Sequence, residues 1–559
     1  MSHRERLAPV DNAWLRMERD TNRMMIVGVL VLEGRVSPEQ VARILDERLR
    51  PFRRFHQRVV DDLTGRAWQD DDRFDIRHHV KRARLPRPAD KRALQQYVSD
   101  MASQPLDMDR PLWQYHVIED FQGDTVLLGR YHHSLADGIA LIRVLLSMTE
   151  DAAGNGVPAP AIEEAHAHHD DGAGGLLEAI FHPLSEAVEG SMRFSSKLWH
   201  RYQSLIDHPS QAKDYARIAG GVAAELLHLA LLPDDSRTRY KGKPGIDKRV
   251  AWTDPLGLPE VKAVGRVLGC SVNDVLLAAV SGALRAYLLE KGDDPTGVEL
   301  RAMIPVNLRK ETDKISMGNR FGLVALELPV GYANPLARLY EVRRRMEALK
   351  GSFEPPVSYG LLMFSGIAPK IVQDMLLDML ANKTTAVMTN VPGPQQARYF
   401  CGARLKQTMF WVPQSGDIGM GVSILSYDGQ VQFGLITDAG LVPDPERVIE
   451  RFKPEFEKLL YVVLMEPWDH PVSAADFERK LAAAELAERL DAPAAPPAAR
   501  SQRKVRPGRT AGSAKAPPAK RNPATPKART ASRAKPAATA ANAAQGPATR
   551  IPKRFRGLA

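Results

Sequence analysis

The stretch YHHSLADGIA, residues 131–140, places two adjacent histidines, His132 and His133, just ahead of an aspartate, Asp137, with Gly138 directly after it. Upstream, Thr125 to Tyr131 is rich in branched and aromatic residues and reads as a strand. Downstream, IALIRVLLSM, residues 139–148, carries apolar residues at helical spacing. The histidines therefore stand at a strand-to-helix junction, where a rigid scaffold presents working side chains. Structural, metal-binding and acid-base readings are all open for such a cluster. In the structural one the pair satisfies backbone groups at a tight turn, Asp137 caps the next helix and Gly138 eases the bend. A metal site is the weaker fit, because adjacent residues at a turn point different ways and no third strong ligand lies nearby. In the acid-base reading, an imidazole with an unperturbed pKa near 6.5 takes a proton from a hydroxyl or thiol near neutral pH. Asp137 then braces the loop, by capping the helix or by bonding an arginine such as Arg309, without touching substrate.

A second histidine string, HAHHDDGAGG at residues 166–175, lacks these neighbours. No strand aims His166, His168 and His169, and a Gly-rich stretch follows, so the composition reads as a solvated linker.

Around the junction, the elements that must hold it are those of a globular chain. The 559 residues are 44% hydrophobic and 26% charged, enough for two or more domains with cores. Two cysteines, Cys270 and Cys401, and an N-terminus without an apolar signal core point to a reducing, cytoplasmic setting. No run approaches the roughly 20 uninterrupted apolar residues of a membrane span. The net charge of +10 is unevenly placed. Residues 491–559 hold 16 Lys and Arg against the single acid Asp491, a net +15; residues 1–490 hold 61 basic and 66 acidic residues, a net −5. That Ala/Pro/Lys/Arg-rich tail has too few large apolar residues to fold alone and is expected to be disordered. It could draw the chain to an anionic membrane or lipid inclusion, or to nucleic acid.

Before the tail the chain reads as α/β. Residues 1–150, with the strand MMIVGVLVLEG, the helix SPEQVARILDERLRPF and the HHSLADG junction, form one mixed domain; residues 151–244 form a linker and helical connector. A second α/β domain spans residues 245–480. It holds the helix SVNDVLLAAVSGALRAYLLEKG, the strand LRAMIPVNLR, the helix NPLARLYEVRRRMEALKG, and strands in TTAVMTNVPGP and VSILSYDGQVQFGLITD. Residues 481–559 are a helical end and then the tail. No phosphate-binding or dinucleotide-type glycine motif occurs in the right context, so nucleotide-triphosphate and NAD chemistry are not expected.

HHSLADG resembles the HHxxxDG motif of the CoA-dependent acyltransferase superfamily, which includes chloramphenicol acetyltransferase, carnitine acyltransferases and peptide-synthetase condensation domains. Further landmarks follow in order: PLW at 111–113, VNDVLLA from Val272, PVNLR from Pro305, GNRFG from Gly318, NVPGP from Asn390 and SYDG from Ser426. With the opening PVDNAWLRMERDTNRMMIVGV, residues 7–475 are similar to the bacterial wax ester synthase/diacylglycerol acyltransferase family.

The resemblance implies two chloramphenicol-acetyltransferase-like domains with an active-site channel between them. It implies transfer of a fatty acyl group from acyl-CoA, a substrate rather than a cofactor, to diacylglycerol or a long-chain alcohol. Carried over by motif, His133 is the general base, His132 its neighbour, Asp137 the structural brace, and Asn273 a second-half residue beside the reaction centre. Asn273 is equally readable as the N-cap of its helix, with Asp274 a competing cap. Trp113 and Gly138 are candidate substrate-binding residues, although a lone aromatic beside Pro and Leu also fits a core. No resident metal or cofactor is expected. Two rivals stand beside this reading. One is a condensation-type domain fed by carrier proteins; the other is an inactive acyltransferase fold that binds lipid surfaces or polyanions through the tail.

Overall fold

The structure, a computed structural model, describes residues 4–62, 65–152, 154–156, 232–308, 319–349, 354–465, 479 and 482. Arg309, the HAHHDDGAGG string, residues 157–231 of the expected linker and helical connector, and the basic tail lie outside the described residues.

The first half contributes β1 (Arg4–Arg6), β2 (Met25–Leu32), β3 (Gln57–Asp62), β4 (Gly65–Asp70), β5 (Val80–Ala83), β6 (Trp113–Phe121) and β7 (Asp124–His132). The second half contributes β8 (Lys248–Trp252), β9 (Leu256–Gly257), β10 (Leu300–Asn307), β11 (Phe321–Leu328), β12 (Ala386–Pro392), β13 (Tyr399–Phe400), β14 (Ala403–Trp411), β15 (Met420–Tyr427) and β16 (Gln430–Asp438). These strands make mixed α/β architecture around two large sheets. One runs β13-β14-β2-β7-β6-β5; the other runs β11-β10-β12-β15-β16-β8, with β9 also on β16. A small sheet, β1-β4-β3, stands apart from both.

The apolar run of β2 has no polar alternation because both of its faces are covered. Met25, Val27, Val29 and Val31 pack against Leu94 and Val98 of the helix Lys91–Ser103, while Ile26 and Leu32 pack with Val41 and Leu45 of the helix Pro38–Leu49. Ser37 starts the latter helix with a capping box to Gln40. Strand β7 pairs antiparallel with β2 on one side and β6 on the other, so the histidines at its end emerge from the middle of a sheet.

Residues 245–480 are not self-contained. Strand β14 leaves the second half and pairs with β2 from Trp411↔Val27 to Leu405↔Leu32, covering an edge that would otherwise expose unpaired backbone. Met409 and Trp411 then join the core beneath β2 together with Trp252 and Ile436 of the second sheet. A sequence split into successive halves misses this crossing because β14 reads like any other strand; its partner is set by a pairing more than 370 residues away in the chain.

The helix Val272–Glu290 is the one described helix long and apolar enough to cross a bilayer, with a mean hydropathy of 1.4. It is instead the core of the second half: Ala279, Val280, Ala283, Leu284 and Tyr287 are wholly buried, against the helices Pro335–Leu349 and Pro445–Met465. A helix apolar all round is what such a central position requires.

Candidate active site

At the end of β7 the chain turns at His132-His133-Ser134 and enters the helix Gly138–Ser147. The turn is pinned by its backbone. His132 N–H donates to Leu112 O (2.9 Å), His133 N–H to Met24 O (2.7 Å), and Leu135 N–H to His132 O (3.0 Å). His132, His133 and Asp137 are all buried.

His132 Nδ1 lies 3.1 Å from the backbone N–H of Ser134 and 2.8 Å from its hydroxyl. Since the backbone group can only donate, the neutral ring carries its proton on Nε2, which faces Glu18 Oε2 at 3.7 Å. Burial raises the Glu18 carboxyl, but the interaction with His132, the Met24 N–H at 2.6 Å and the Arg23 guanidinium overcome it and hold the group below its usual range. An anion therefore stands beside His132.

His133 is held differently. Its ring lies parallel to the indole of Trp14, centroids 4.0 Å apart at 18°, with Phe321 tilted against it at 5.8 Å. Burial pushes its imidazole down to about 4, against the opposing pull of the Asp137 carboxylate, so the ring is neutral at working pH. Its Nδ1 has no hydrogen-bond partner among the described residues.

Asp137 accepts from two backbone donors. One carboxylate oxygen caps the helix through Ala140 N–H (2.9 Å); the other accepts from Arg320 N–H of GNRFG (3.1 Å). The first-half loop is thus tied to the second half through main chain.

Sequence reasoning passes over two groups here. In the helix Pro9–Met17 and the residue that ends it, Asp11, Trp14 and Glu18 recur at spacings of three and four, one helical face, and that face meets both histidines. Asn319 of GNRFG donates through Nδ2 to Asp11 Oδ1 (2.9 Å) and to His133 O (2.8 Å). Asp11 is pushed up to about 6 by burial, partly offset by Arg54 and by this hydrogen bond. The signal was present as D-x-x-W-x-x-x-E in PVDNAWLRMERD, a short motif whose target could not be read locally.

Asn273 is not the N-cap of its helix, and Asp274 is not a competing one. Ser271 caps, accepting from Asp274 N–H, and the Asp274 carboxylate returns to Ser271 N–H. Asn273, one residue into the helix, is released from capping, and its Oδ1 accepts from Asn390 Nδ2 of NVPGP (2.8 Å).

Trp113 belongs to the hydrophobic core of the first half. It is buried with its indole N–H on Phe55 O (2.8 Å), stacked on His79 at 4.4 Å. Gly138 does line an apolar cavity. The floor of that cavity is Ile26, Gly28 and Leu30 of β2 with Leu127 and Gly129 of β7; its roof is the Gly138–Ser147 helix, including Leu141 and Leu145. Gly393 and Pro394 of NVPGP and Tyr427 of SYDG close one side. Gly28 and Gly129 pair across the two strands; the lack of a side chain at Gly28 opens the floor, whereas the space over Gly129 is taken by Tyr131 and Tyr115. Among the described residues no cluster of three or more His, Cys, Asp or Glu could hold a metal ion.

The chain matches two family models: the wax ester synthase/diacylglycerol acyltransferase catalytic domain over residues 7–276, and the WS/DGAT C-terminal domain over residues 317–460. It is 28% identical over 450 residues to a probable diacylglycerol O-acyltransferase of Mycobacterium tuberculosis, covering 78% of this chain and 92% of that one. It is 25% identical over 464 residues to the O-acyltransferase WSD of Acinetobacter baylyi, covering 81% and 96%. In fold it is similar to the wax ester synthase/diacylglycerol acyltransferase from Marinobacter aquaeolei VT8, with a TM-score of 0.57 and 22% identity over 82% of this chain and 99% of that one. With both models in order across the described body, the chain belongs to the wax ester synthase/diacylglycerol acyltransferase family.

Proposed function

We propose that this chain is an acyl-CoA-dependent O-acyltransferase that uses His133 as general base to acylate diacylglycerol or a long-chain alcohol. The observation that carries this reading is a buried, neutral imidazole on the same strand-to-helix turn as Gly138, which lines an apolar cavity. A neutral imidazole can accept a proton, and a cavity walled by aliphatic side chains and bare glycine backbone takes an aliphatic chain.

In the reaction the acceptor hydroxyl gives its proton to His133 as its oxygen attacks the thioester carbonyl carbon. The tetrahedral intermediate then collapses with loss of the CoA thiolate, which takes the proton back from His133. Asn273 is the proposed donor to the oxyanion: with Oδ1 engaged by Asn390, its amide N–H groups carry no hydrogen bond among the described residues. Asp137 keeps the loop and the helix in register. The basic run beyond residue 490 is proposed to hold the enzyme against an anionic, cytoplasmic lipid surface where both substrates collect.

The test offers purified protein one long-chain acyl-CoA with hexadecanol and diacylglycerol in competition. His133→Ala is expected to lower the rate by roughly 10²- to 10⁴-fold with unchanged melting. A folded His133→Ala variant of near-normal rate removes the assignment, and failure to acylate either acceptor removes the activity.

A further inference from the structure

The His133 Nδ1 has no hydrogen-bond partner among the described residues, and the polar groups that favour its protonated form are the nearby Asp137 carboxylate and the Asn319 side chain. The His133 backbone is fixed at both ends, by Met24 O on the N–H and by Asn319 Nδ2 on the carbonyl, so the freedom left to the residue is rotation of its side chain. Stacking restricts that freedom. Trp14, itself buried, lays its indole face on the imidazole at 4.0 Å and 18°, and Phe321 closes on both rings at 6.1 and 5.8 Å. The usual device for a basic histidine is a carboxylate on Nδ1–H, which sets the ring and stabilises the cation. Here the carboxylates around the loop have other bonds: Asp137 serves Ala140 and Arg320 N–H, Glu18 serves Met24 N–H and stands beside His132, and Asp11 is bound to Asn319.

We propose that Trp14 is a positioning residue for acyl transfer, its indole face fixing the His133 ring and stabilising the imidazolium that forms as His133 takes the acceptor's proton. The proposal rests on His133 being the base. An aromatic face is the negative pole of its quadrupole, so its attraction for the ring rises when the ring becomes a cation, and rises further in a desolvated site. The stabilisation is therefore larger in the transition state than in the ground state, which is the condition for a contribution to kcat rather than to binding. The same contact offsets part of the burial that makes the imidazolium costly.

The experiment uses the full chain with acyl-CoA and hexadecanol. Trp14→Leu is expected to lower kcat about tenfold, with KM for both substrates within about twofold, and Trp14→Phe to retain most of the rate. Replacement of all seven tryptophans by mono-, di- and trifluorotryptophan weakens the ring quadrupole at nearly constant shape. Over that series kcat is expected to fall by about threefold in total, and the trend should vanish in a Trp14→Phe background. If Trp14→Leu does not fold, the fluorotryptophan series decides alone. A flat series, or one that persists without Trp14, overturns the proposal. So does a folded Trp14→Leu variant with the parent kcat. His133→Ala separates the two levels: retained activity there removes the base assignment itself, whereas its loss beside a flat fluorotryptophan series removes only the role of Trp14.

Discussion

If the cavity holds the aliphatic chain as proposed, Gly28 limits how long that chain can be, and Gly28→Val tests this directly. The residue sits in β2 with ordinary strand geometry, so a β-branched side chain suits its backbone. A Cβ built there meets nothing closer than Met409 O at 3.7 Å and Phe410 Cβ at 3.9 Å, so the new methyl groups enter the cavity rather than the surrounding core. Gly129, opposite, is different: a Cβ there falls 2.8 Å from the Tyr131 hydroxyl and would push the tyrosine pair apart. Three added carbons at position 28 displace about two to three methylenes of a bound chain. At about 0.8 kcal/mol per buried methylene, that is roughly 2 kcal/mol, or about 30-fold in kcat/KM for the longest substrates. The assay sets acyl-CoA thioesters from eight to eighteen carbons against each other, then alcohols of the same lengths, and compares product ratios for the parent and Gly28→Val. The expected outcome is a loss confined to long chains of one of the two substrates, with the shortest unaffected, which also says which substrate the cavity holds. Equal loss at every length, or no change in the ratios, refutes the assignment of the cavity to an aliphatic chain.

Asp137→Ala removes a helix cap worth about 1 kcal/mol and strips the Arg320 N–H of its acceptor at a further 1 to 3 kcal/mol, so chemical denaturation should show a loss of about 2 to 4 kcal/mol together with lower activity. A collapse of rate at unchanged stability would give Asp137 a direct chemical role instead. Burial pushes His79, His116 and His133 each down to about 4, below the 6.5 of an unfolded histidine. The unfolded chain therefore binds extra protons at these three sites between those values, and the histidines' contribution to stability is full above about pH 6.5 and falls as pH drops towards 4, partly opposed by Asp11, whose raised carboxyl acts with the other sign. His79→Phe, in a ring already stacked between Phe74 and Trp113, should reduce that slope by up to about 1.4 kcal/mol per pH unit; denaturation curves at pH 4.5, 5.5 and 6.5 check it.

Much of this was legible in the chain alone, and for a physical reason: strands, helices and caps are local. The run TVLLGRY ends as a strand at the histidines and Asp137 caps the helix that follows, as composition and spacing required. The strands at LRAMIPVN, AVMTNVP and the β15–β16 hairpin stand where their patterns placed them. The order of short motifs also identified the family, because each preserves a turn or a strand end that can be recognised without knowing its partners. The tertiary structure decided who those partners are. It placed the Asp11–Trp14–Glu18 face on the two histidines, joined Asn319 to the His133 carbonyl, and turned the Asp137 brace towards a backbone N–H of the second half. It took Asn273 out of capping by giving the cap to Ser271. It also carried β14 into the first sheet and set Gly28 beneath a helix, where the absence of a side chain opens the cavity. None of these follows from local pattern, because each contact joins residues tens to hundreds of positions apart, and which distant groups meet is fixed only when the sheets pair and the cores close around them.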